Sequence, residues 1–315
     1  MKRPKKRTVQ LVLLALLGGA IVFTLLLPTI SAHKKQQEPL EISVIMRQTD
    51  NQLWSWMRMG MEQAAGDLGV ELRFLIPTIE NDSTEQEVLI QHEVQRGTNA
   101  IIVVPANNKQ LQSKLPEITS NIPVIALESS IHPDEITITP DNAQIGESLA
   151  QLALQEGEGK AVLLVNTCTT SDGIAQRTEQ ARKYLQEAGI SVQIWPSSKY
   201  VNIDDLIKIE QVGQIIAMDA SATVMIAEKY SEIENHPQLY GVGSAPPITA
   251  ALDSGTLSAV AVWSEYASGY MAVEHAVKTV RGNAPQKLES LRFTIVKEDE
   301  IYETENQKLL FPITS

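Results

Sequence analysis

The sequence predicts an α/β protein made of two doubly wound parallel-sheet lobes, preceded by one N-terminal transmembrane helix. Short apolar runs rich in valine, isoleucine and leucine alternate along the chain with segments of helical length, which is typical of right-handed βαβ units. About ten such units are too many for one comfortable sheet, so we expect two similar halves that divide near Asp141–Asn142. An uncharged apolar stretch precedes these units and predicts the membrane helix.

The N-terminal residues have the features of an export segment. Basic residues crowd positions 1–8, and the uncharged run 9–30 is long enough to cross about 30 Å of hydrocarbon as a helix. The basic cluster predicts a cytoplasmic tip at 1–8, with the rest of the chain outside. A secretory signal peptide begins in the same way, and Ile30–Ala32 would serve as its cleavage site. We expect either an anchor on the extracytoplasmic face of the cell membrane, with 31–40 as a linker, or a cleaved signal and a secreted or periplasmic protein.

The predicted strands and helices follow one another in a regular order. The strands are the apolar runs at 41–46, 70–76, 100–104, 123–127, 160–165, 191–195, 214–218, 239–242, 257–262 and 291–296. The helices lie at 52–68, 83–96, 107–120, 143–156, 174–188, 203–212, 220–230, 246–252 and 266–281.

Local signals support several of these boundaries. Ser83 with Gln86 fits a capping box at a helix start. Pro105 ends the third strand, because proline lacks the N–H that a strand interior needs. Gly189 and Gly282 stand where two helices stop, as C-terminal glycines commonly do.

Composition and motifs exclude several classes of function. The formal net charge is −12, and a body this acidic disfavours nucleic acid, which is bound through clustered lysine and arginine. Cys168 is the only cysteine, so no disulfide can form within the chain. The histidines are scattered without metal-ligand spacing, and neither a nucleophile elbow nor a phosphate-binding loop occurs. We therefore expect no catalytic residues, no metal and no cofactor.

Four stretches of the chain carry a resemblance to a known family. They are 49–54 (TDNQLW), 97–105 (GTNAIIVVP), 121–127 (NIPVIAL) and 252–257 (LDSGTL). In this order and spacing they resemble the type I periplasmic sugar-binding proteins, the ribose-binding-like group, over residues 41–300.

The resemblance implies two lobes joined by three crossing segments, near 140–143, 262–265 and 287–291. The first ligand-binding lobe would then comprise 41–141 plus 264–288, and the second 142–263 plus 289–315. Members of the family bind sugars or similar solutes between their lobes. They pass them to an ABC permease or a chemoreceptor.

In the first lobe, the candidate ligand-binding residues follow the first and fourth strands. Arg47, Asp50, Asn51 and Trp54 occupy the first of these loops, and the resemblance implies an asparagine and an aromatic ring here. Glu128 takes the place of an aspartate that grips sugar hydroxyls in the family, but the arginine that normally follows it is lost. Helix capping is the ordinary alternative role for acids that follow strands.

In the second lobe, the resemblance implies an aromatic at Tyr200 and an acid at Asp219, while Trp263 replaces a polar residue of the family. Asp141 lies at the first crossing and is a further candidate ligand-binding residue. Its alternative role is that of a hinge residue or a helix cap. If these acids line the cleft with only Arg47 or Arg177 to balance them, a cationic or amine-bearing ligand becomes an alternative to a sugar, because an acidic pocket with aromatic walls attracts a cation.

The expected function is an extracytoplasmic solute-binding protein that captures a small polar ligand, a sugar or similar molecule, and delivers it to an ABC permease. The alternative is a sensory subunit that signals to a membrane histidine kinase or chemoreceptor, which an uncleaved anchor favours. A transcription regulator of the same fold is disfavoured, because the apolar segment stands where a DNA-binding domain would be. The sequence leaves the ligand open among sugars, amines and nucleosides.

Overall fold

The structure is a computed structural model, which describes residues 10, 14–19, 39–119, 122–157, 161–196, 212–233, 235–283 and 285–312. The chain forms two compact units, Met1–Pro39 and Leu40–Ser315. In the first unit, residues 10 and 14–19 are helical. The transmembrane segment predicted at 9–30 otherwise falls outside the described residues. Within the described part of the chain, no helix has the length and apolar character needed to span a membrane.

The second unit contains twelve strands among the described residues. In chain order they are β1 (Glu41–Ile45), β2 (Glu71–Leu75), β3 (Ala100–Val103), β4 (Val124–Leu127), β5 (Ile136–Pro140), β6 (Ala161–Asn166), β7 (Val192–Pro196), β8 (Val212–Ala217), β9 (Gln238–Val242), β10 (Ala259–Trp263), β11 (Leu288–Leu291) and β12 (Phe293–Lys297). They form two six-stranded sheets, ordered β11-β5-β4-β3-β1-β2 and β12-β10-β9-β8-β6-β7. All pairs are parallel except β10 with β12.

Helices cover both faces of these sheets. They are α1 (Ser55–Leu68), α2 (Ser83–Arg96), α3 (Asn108–Thr119), α4 (Asn142–Glu156), α5 (Asp172–Glu187), α6 (Ala220–Tyr230), α7 (Pro246–Asp253), α8 (Glu265–Val280) and α9 (Thr304–Leu310). Short 3₁₀ turns occupy Asn51–Trp54 and Glu298–Glu300.

The alternation of side chains in β3 shows why this sheet is doubly wound. Ile101 and Val103 pack in one core cluster with residues of α2 and α3, while Ile102 packs in the other with residues of α1 and α8. Successive side chains of a strand point to opposite faces, so a strand covered on both faces is a continuous apolar run. All four residues of β3 are fully buried.

Three described elements were not predicted: β5, β11 and α9. The sequence of β5, ITITP, alternates polar and apolar residues and ends in proline. The strand predicted at 291–296 corresponds to β12, while β11 lies just before it and belongs to the other sheet. The helix predicted at 203–212 lies outside the described residues, except for Val212, which begins β8.

The chain passes between the two sheets at three points. Asp141 separates β5 of the first sheet from α4, which contacts β8, β9, β10 and β12 of the second. Ser264 separates β10 of the second sheet from α8, which contacts β3, β4 and β5 of the first. Arg292 separates β11 from β12, one residue beyond the predicted third crossing.

Two glycines allow α1 and α8 to approach at backbone distance. A Cβ atom added to Gly60 would lie 1.9 Å from the carbonyl oxygen of Tyr266. On the facing helix, a Cβ atom added to Gly269 would lie 2.0 Å from the carbonyl oxygen of Met57. Because backbone atoms cannot rotate away as a side chain would, any larger residue at these positions must separate the helices.

We predict that Gly60→Ala lowers the free energy of unfolding by about 1–3 kcal/mol, because the added methyl group overpacks the contact between α1 and α8. Gly66→Ala on the same helix is the matched control: Gly66 is exposed and has nothing within 4 Å of an added Cβ. That variant should gain about 0.5–1 kcal/mol from helix propensity. Urea denaturation of the full chain measures both values, and equal effects at the two sites would contradict the packing argument.

Candidate functional site

The loops that follow several strands meet at one small cavity. The described residues that line it are Arg47, Gln48, Leu53, Met57, Glu128, Arg177, Ala220, Val242, Gly243, Trp263 and Glu265. Most of them stand at or just beyond the carboxyl ends of strands, where parallel sheets bind ligands. The space open to the centre of a water molecule is about 10 Å³, enough for about one water.

Arg47 and Glu128 form a buried ion pair in the first lobe. Arg47 Nη2 donates to Glu128 Oε2 at 2.9 Å, and Arg47 Nη1 donates to Asn81 Oδ1 at 3.2 Å. Burial opposes the charge of Arg47, but electrostatic attraction, chiefly to Glu128, and the hydrogen bond to Glu128 together outweigh it and raise the arginine pKa. Burial likewise opposes the charge of Glu128, but attraction to Arg47 and Arg177 prevails and lowers its pKa. Both groups therefore stay ionised.

Arg177 enters the cavity from α5 and holds the second lobe together. Its Nε donates to Asn142 Oδ1 at 2.6 Å, and its Nη1 donates to the carbonyl oxygen of Met218 at 2.9 Å. Its guanidinium carbon lies 5.3 Å from the ring centroid of Trp263, a cation–π distance. Burial, with a smaller contribution from the nearby positive charge of Arg47, lowers the pKa of Arg177 to about 10.

Glu265 is the first residue of α8 and has a buried carboxyl group, 6% exposed. Its Oε1 accepts a hydrogen bond from the backbone N–H of Ser244 at 3.2 Å. Its Oε2 has no hydrogen-bond partner among the described residues. Burial raises the pKa of Glu265 to about 8, against the opposing effect of the Ser244 N–H.

Three of the acids predicted as ligand contacts cap helices. Asp219 is 1% exposed, and its carboxylate accepts from Ala222 N at 2.9 Å, from Thr167 N at 2.7 Å and from Thr167 Oγ1 at 2.9 Å. Asp141 accepts from the backbone N–H of residue 144 at 3.0 Å, and Asp50 from that of residue 52 at 2.9 Å. None of these three is among the described residues that line the cavity.

The remaining predicted residues lie apart from the cavity lining or outside the described residues. Trp54 is 1% exposed and packs in the first-lobe core, with its ring 5.7 Å from that of Phe74. Asn51 is exposed in the preceding turn. Tyr200 falls outside the described residues. Of the predicted set, the structure places Arg47, Glu128 and Trp263 around the cavity.

Sequence reasoning missed Gln48 and Glu265 as lining residues. It related Arg177 to an arginine that the family has two residues earlier, at the position of Ala175, and named it as a counter-charge, but did not include it among the candidate ligand contacts. Gln48 directly follows Arg47 in the first loop, so its position after β1 was the available signal. Glu265 stands in the first turn of a helix, where an acid is commonly explained by the helix dipole.

Hydrogen bonds join the two lobes beside the cavity. Trp56 Nε1, on α1, donates to the carbonyl oxygen of Ser244 at 2.8 Å. Ser221 Oγ, on α6, donates to Glu80 Oε1 at 2.6 Å. The side chain of Trp56, which was not among the predicted site residues, therefore spans the gap between the lobes.

The only cysteine lies in this contact between lobes. Cys168 is 3% exposed, and its Sγ donates to the carbonyl oxygen of Ala106 at 3.1 Å. Thr170 Oγ1 donates to the same oxygen at 2.6 Å, and the N–H of Asp172 donates to Asn108 Oδ1 at 2.9 Å. The loop after β3 therefore covers the thiol from the first lobe, while core residues of the second lobe, among them Ile145 and Ile174, bury its other side.

A wider depression at the far end of the second lobe is not the candidate site. It has about 370 Å³ open to water centres and is lined in part by Glu156, Gln214 and Gln238. Gln214 and Gln238 lie near the amino ends of β8 and β9, whereas ligands of parallel sheets bind at the carboxyl ends. The described residues also contain no group of three or more metal-ligating side chains.

Two doubly wound α/β lobes that face each other across a polar cavity define the class of two-lobed binding proteins. A family model described as a periplasmic binding protein domain matches residues 42–284. The chain therefore belongs to this family. A search of curated protein sequences gives no match.

Solved structures of transport proteins share the fold at low sequence identity. A carbohydrate transporter solute-binding protein from Agrobacterium radiobacter, in complex with D-arabinose, has a TM-score of 0.77 and 19% identity, covering 87% of this chain and 100% of its own. An ABC transporter solute-binding protein from Agrobacterium vitis with bound D-fucose has a TM-score of 0.75 and 19% identity, covering 86% and 100%. GanP, a glucose-galactose binding protein from Geobacillus stearothermophilus, has a TM-score of 0.72 and 20% identity, covering 84% and 100%.

We predict that stability depends on pH through Glu265. Its pKa is raised from the ordinary value of 4.5 to about 8, so between these values the unfolded state has lost a proton that the folded state keeps. The free energy of unfolding should therefore fall as pH rises through this window, by at most about 1.4 kcal/mol per pH unit, and level off above it. Glu265→Gln keeps the shape of the side chain and removes its titratable carboxyl group.

The measurement is urea denaturation of the wild-type chain and the Glu265→Gln variant at intervals from about pH 5 to about pH 9. Subtracting the free energy of unfolding of the wild type from that of the variant at each pH cancels the contribution of the other titrating groups. We expect the variant to gain stability relative to the wild type as pH rises. A difference that stays constant with pH would show that Glu265 ionises normally in the folded protein.

Proposed function

We propose that this protein is an extracytoplasmic solute-binding protein that captures a small polar ligand, a sugar or similar molecule, between its two lobes and delivers it to an ABC permease. The observation that carries the proposal is the cavity between the lobes, where buried polar atoms of Arg47, Gln48 and Glu265 lack partners among the described residues. Buried polar groups normally have hydrogen-bond partners. A polar ligand would supply them.

The structural neighbours support the sugar-like class of ligand. The two proteins from Agrobacterium species hold D-arabinose and D-fucose, and GanP is a glucose-galactose binding protein. Arg47 and Glu128 provide an ionised donor and an ionised acceptor in the same cavity, a combination that suits a molecule with several hydroxyl groups. A binding role, rather than catalysis, follows from the family.

Opening of the lobes is part of this proposal. The cavity is smaller than a sugar ring, so a ligand enters only when the lobes separate at the crossings near Asp141, Ser264 and Arg292. Separation breaks the bond from Trp56 to Ser244 and uncovers Cys168. A bound ligand favours the closed arrangement, because it contacts both lobes only there.

We predict that a bound solute slows chemical labelling of Cys168 in the full chain. A panel of D-arabinose, D-fucose, D-glucose and D-galactose is added to protein purified in mild detergent, and reaction with a maleimide is followed by mass spectrometry. A ligand at about 100 times its dissociation constant should raise the melting temperature by about 5 °C or more and slow labelling up to about 100-fold. Cys168 is the only cysteine, so the maleimide has no other thiol to label and no other cysteine has to be replaced first.

Trp56→Phe is the control for this reporter. It keeps an aromatic ring on α1 but removes the donor to Ser244, so labelling without solute should be about fivefold faster, as expected for the loss of about 1 kcal/mol. If no small polar solute changes labelling or melting while the control behaves as expected, the solute-binding proposal is wrong.

We also propose that residues 9–30 remain attached as a membrane anchor. The uncharged apolar run and the basic residues before it support this. A retained anchor also favours the second candidate function, a sensory subunit that presents its closed form to a membrane histidine kinase or chemoreceptor. A transport receptor need not be fixed to the membrane.

We predict that the full chain, expressed in a bacterial host, stays with the membrane after an alkaline carbonate wash. Its intact mass should equal that of the whole sequence, 34.7 kDa. The apolar segment causes both results, because it anchors only if it is not removed. A washed-off protein that lacks the residues up to Ala32 would instead establish a cleaved signal peptide.

A further inference from the structure

We propose that the ligand carries a protonated amine in addition to hydroxyl groups, and that Glu265 binds the ammonium group. This inference rests on the proposed function and names the class of solute more narrowly. Amino sugars are the simplest molecules with this combination of groups. Some of the buried charged groups in the cavity already have partners, and others do not.

Five charged side chains, two arginines and three acids, lie around the gap between the lobes; four are buried and Glu128 is 13% exposed. They are Arg47, Arg177, Glu128, Asp219 and Glu265. With all three acids ionised, their formal charge sums to −1. Without a ligand, a proton on Glu265 makes this buried group electrically neutral. A bound ammonium group would replace that proton and allow Glu265 to ionise.

Glu265 is the acid with which a positively charged ligand group would form an ion pair. Glu128 is paired with Arg47 at 2.9 Å, and the hydrogen bonds of Arg177 go to Asn142 and the Met218 carbonyl. The carboxyl of Glu265 has no ion pair among the described residues, and its Oε2 has no hydrogen-bond partner there. A buried carboxylate without a partner is costly, and a cationic ligand would remove that cost.

The atoms near Glu265 suit an ammonium group, which has three donors and no acceptor. Ser244 donates its N–H to Glu265 Oε1, while Ser244 Oγ has no partner of normal geometry among the described atoms. Gln48 lines the same cavity, and its Oε1 is also unpartnered there. A carboxylate, an amide oxygen and a hydroxyl can together accept the three N–H bonds. A hydroxyl group would satisfy only one of these acceptors.

The rest of the cavity suits the hydroxyl groups of the same ligand. Arg47 Nε is buried without a partner in the described residues and can donate to a hydroxyl oxygen. A free aromatic face is lacking among the described lining residues, since Arg177 lies over Trp263. Recognition therefore rests on charge and hydrogen bonds more than on stacking, which favours a charged sugar over a neutral one.

The test compares matched pairs of probes by calorimetric titration of the full chain: D-glucosamine with D-glucose, and D-galactosamine with D-galactose. At about pH 7 we expect the amine of at least one pair to bind about tenfold or more tightly than its parent sugar, as expected when one buried charge pair forms. Glu265→Gln should remove this preference, because it should weaken binding of the amine about tenfold more than binding of the parent sugar.

Two further variants test whether the charge of Glu265 causes the preference for the amine. Glu265→Asp keeps the charge and should keep a preference for the amine, which also covers the case of a poorly folding Gln variant. Asp50→Asn makes the same carboxylate-to-amide change at an exposed capping residue outside the cavity lining. It should leave the preference unchanged.

The outcomes separate this inference from the proposed function. If the neutral sugars bind and the amine adds nothing in either pair, the amine inference is overturned while the solute-binding function stands. If the preference survives Glu265→Gln in a folded variant, the assignment to Glu265 is overturned. If neither these probes nor any other small polar solute binds, both proposals are wrong.

Discussion

The burial of charge between the lobes is the constraint on which the site depends. Removing a charged side chain from water costs several kcal/mol unless partners replace the water. Arg47 and Arg177 each find hydrogen-bond partners within their own lobe, so these bonds survive when the lobes separate. The neutral bond from Trp56 to Ser244 does not survive. The bond from Ser221 to the carboxylate of Glu80 also joins the lobes. In the proposed opening, the charges would be rehydrated while these contacts between the lobes are lost, and a bound ligand would shift the balance towards the closed arrangement.

Each lobe is stiffened by a pair of helices in backbone contact, which confines motion to the crossings. In the first lobe, Gly60 of α1 meets the backbone of α8. In the second, a Cβ atom added to Gly146 of α4 would lie 2.1 Å from the carbonyl oxygen of Arg177 on α5. The second contact also fixes the backbone of a cavity residue. Small shifts are resisted in such packed contacts, so the lobes can move as bodies about the short crossings.

The sequence predicts the order of elements well where strands are buried on both faces, because such strands are continuous apolar runs. It fails where strand identity depends on pairing: LESL has two polar residues among four and was not predicted as a strand, yet it pairs with β5 as β11. The same limit applies to the site. Glu128 and Asp219 both follow apolar strands, but Glu128 pairs with an arginine in the cavity, whereas Asp219 caps a helix. Only the three-dimensional orientation distinguishes them.

The position of Glu265 connects ligand recognition with motion. Glu265 follows Ser264, the residue at which the chain passes from the second sheet to α8 of the first lobe. Its carboxyl accepts from Ser244, in the loop after β9 of the second lobe, and that same residue accepts from Trp56 of the first. A group bound to Glu265 therefore acts beside a crossing and beside a bond that closes the gap. In the proposed function, a ligand bound there would stabilise the closed lobes through a residue next to the second crossing.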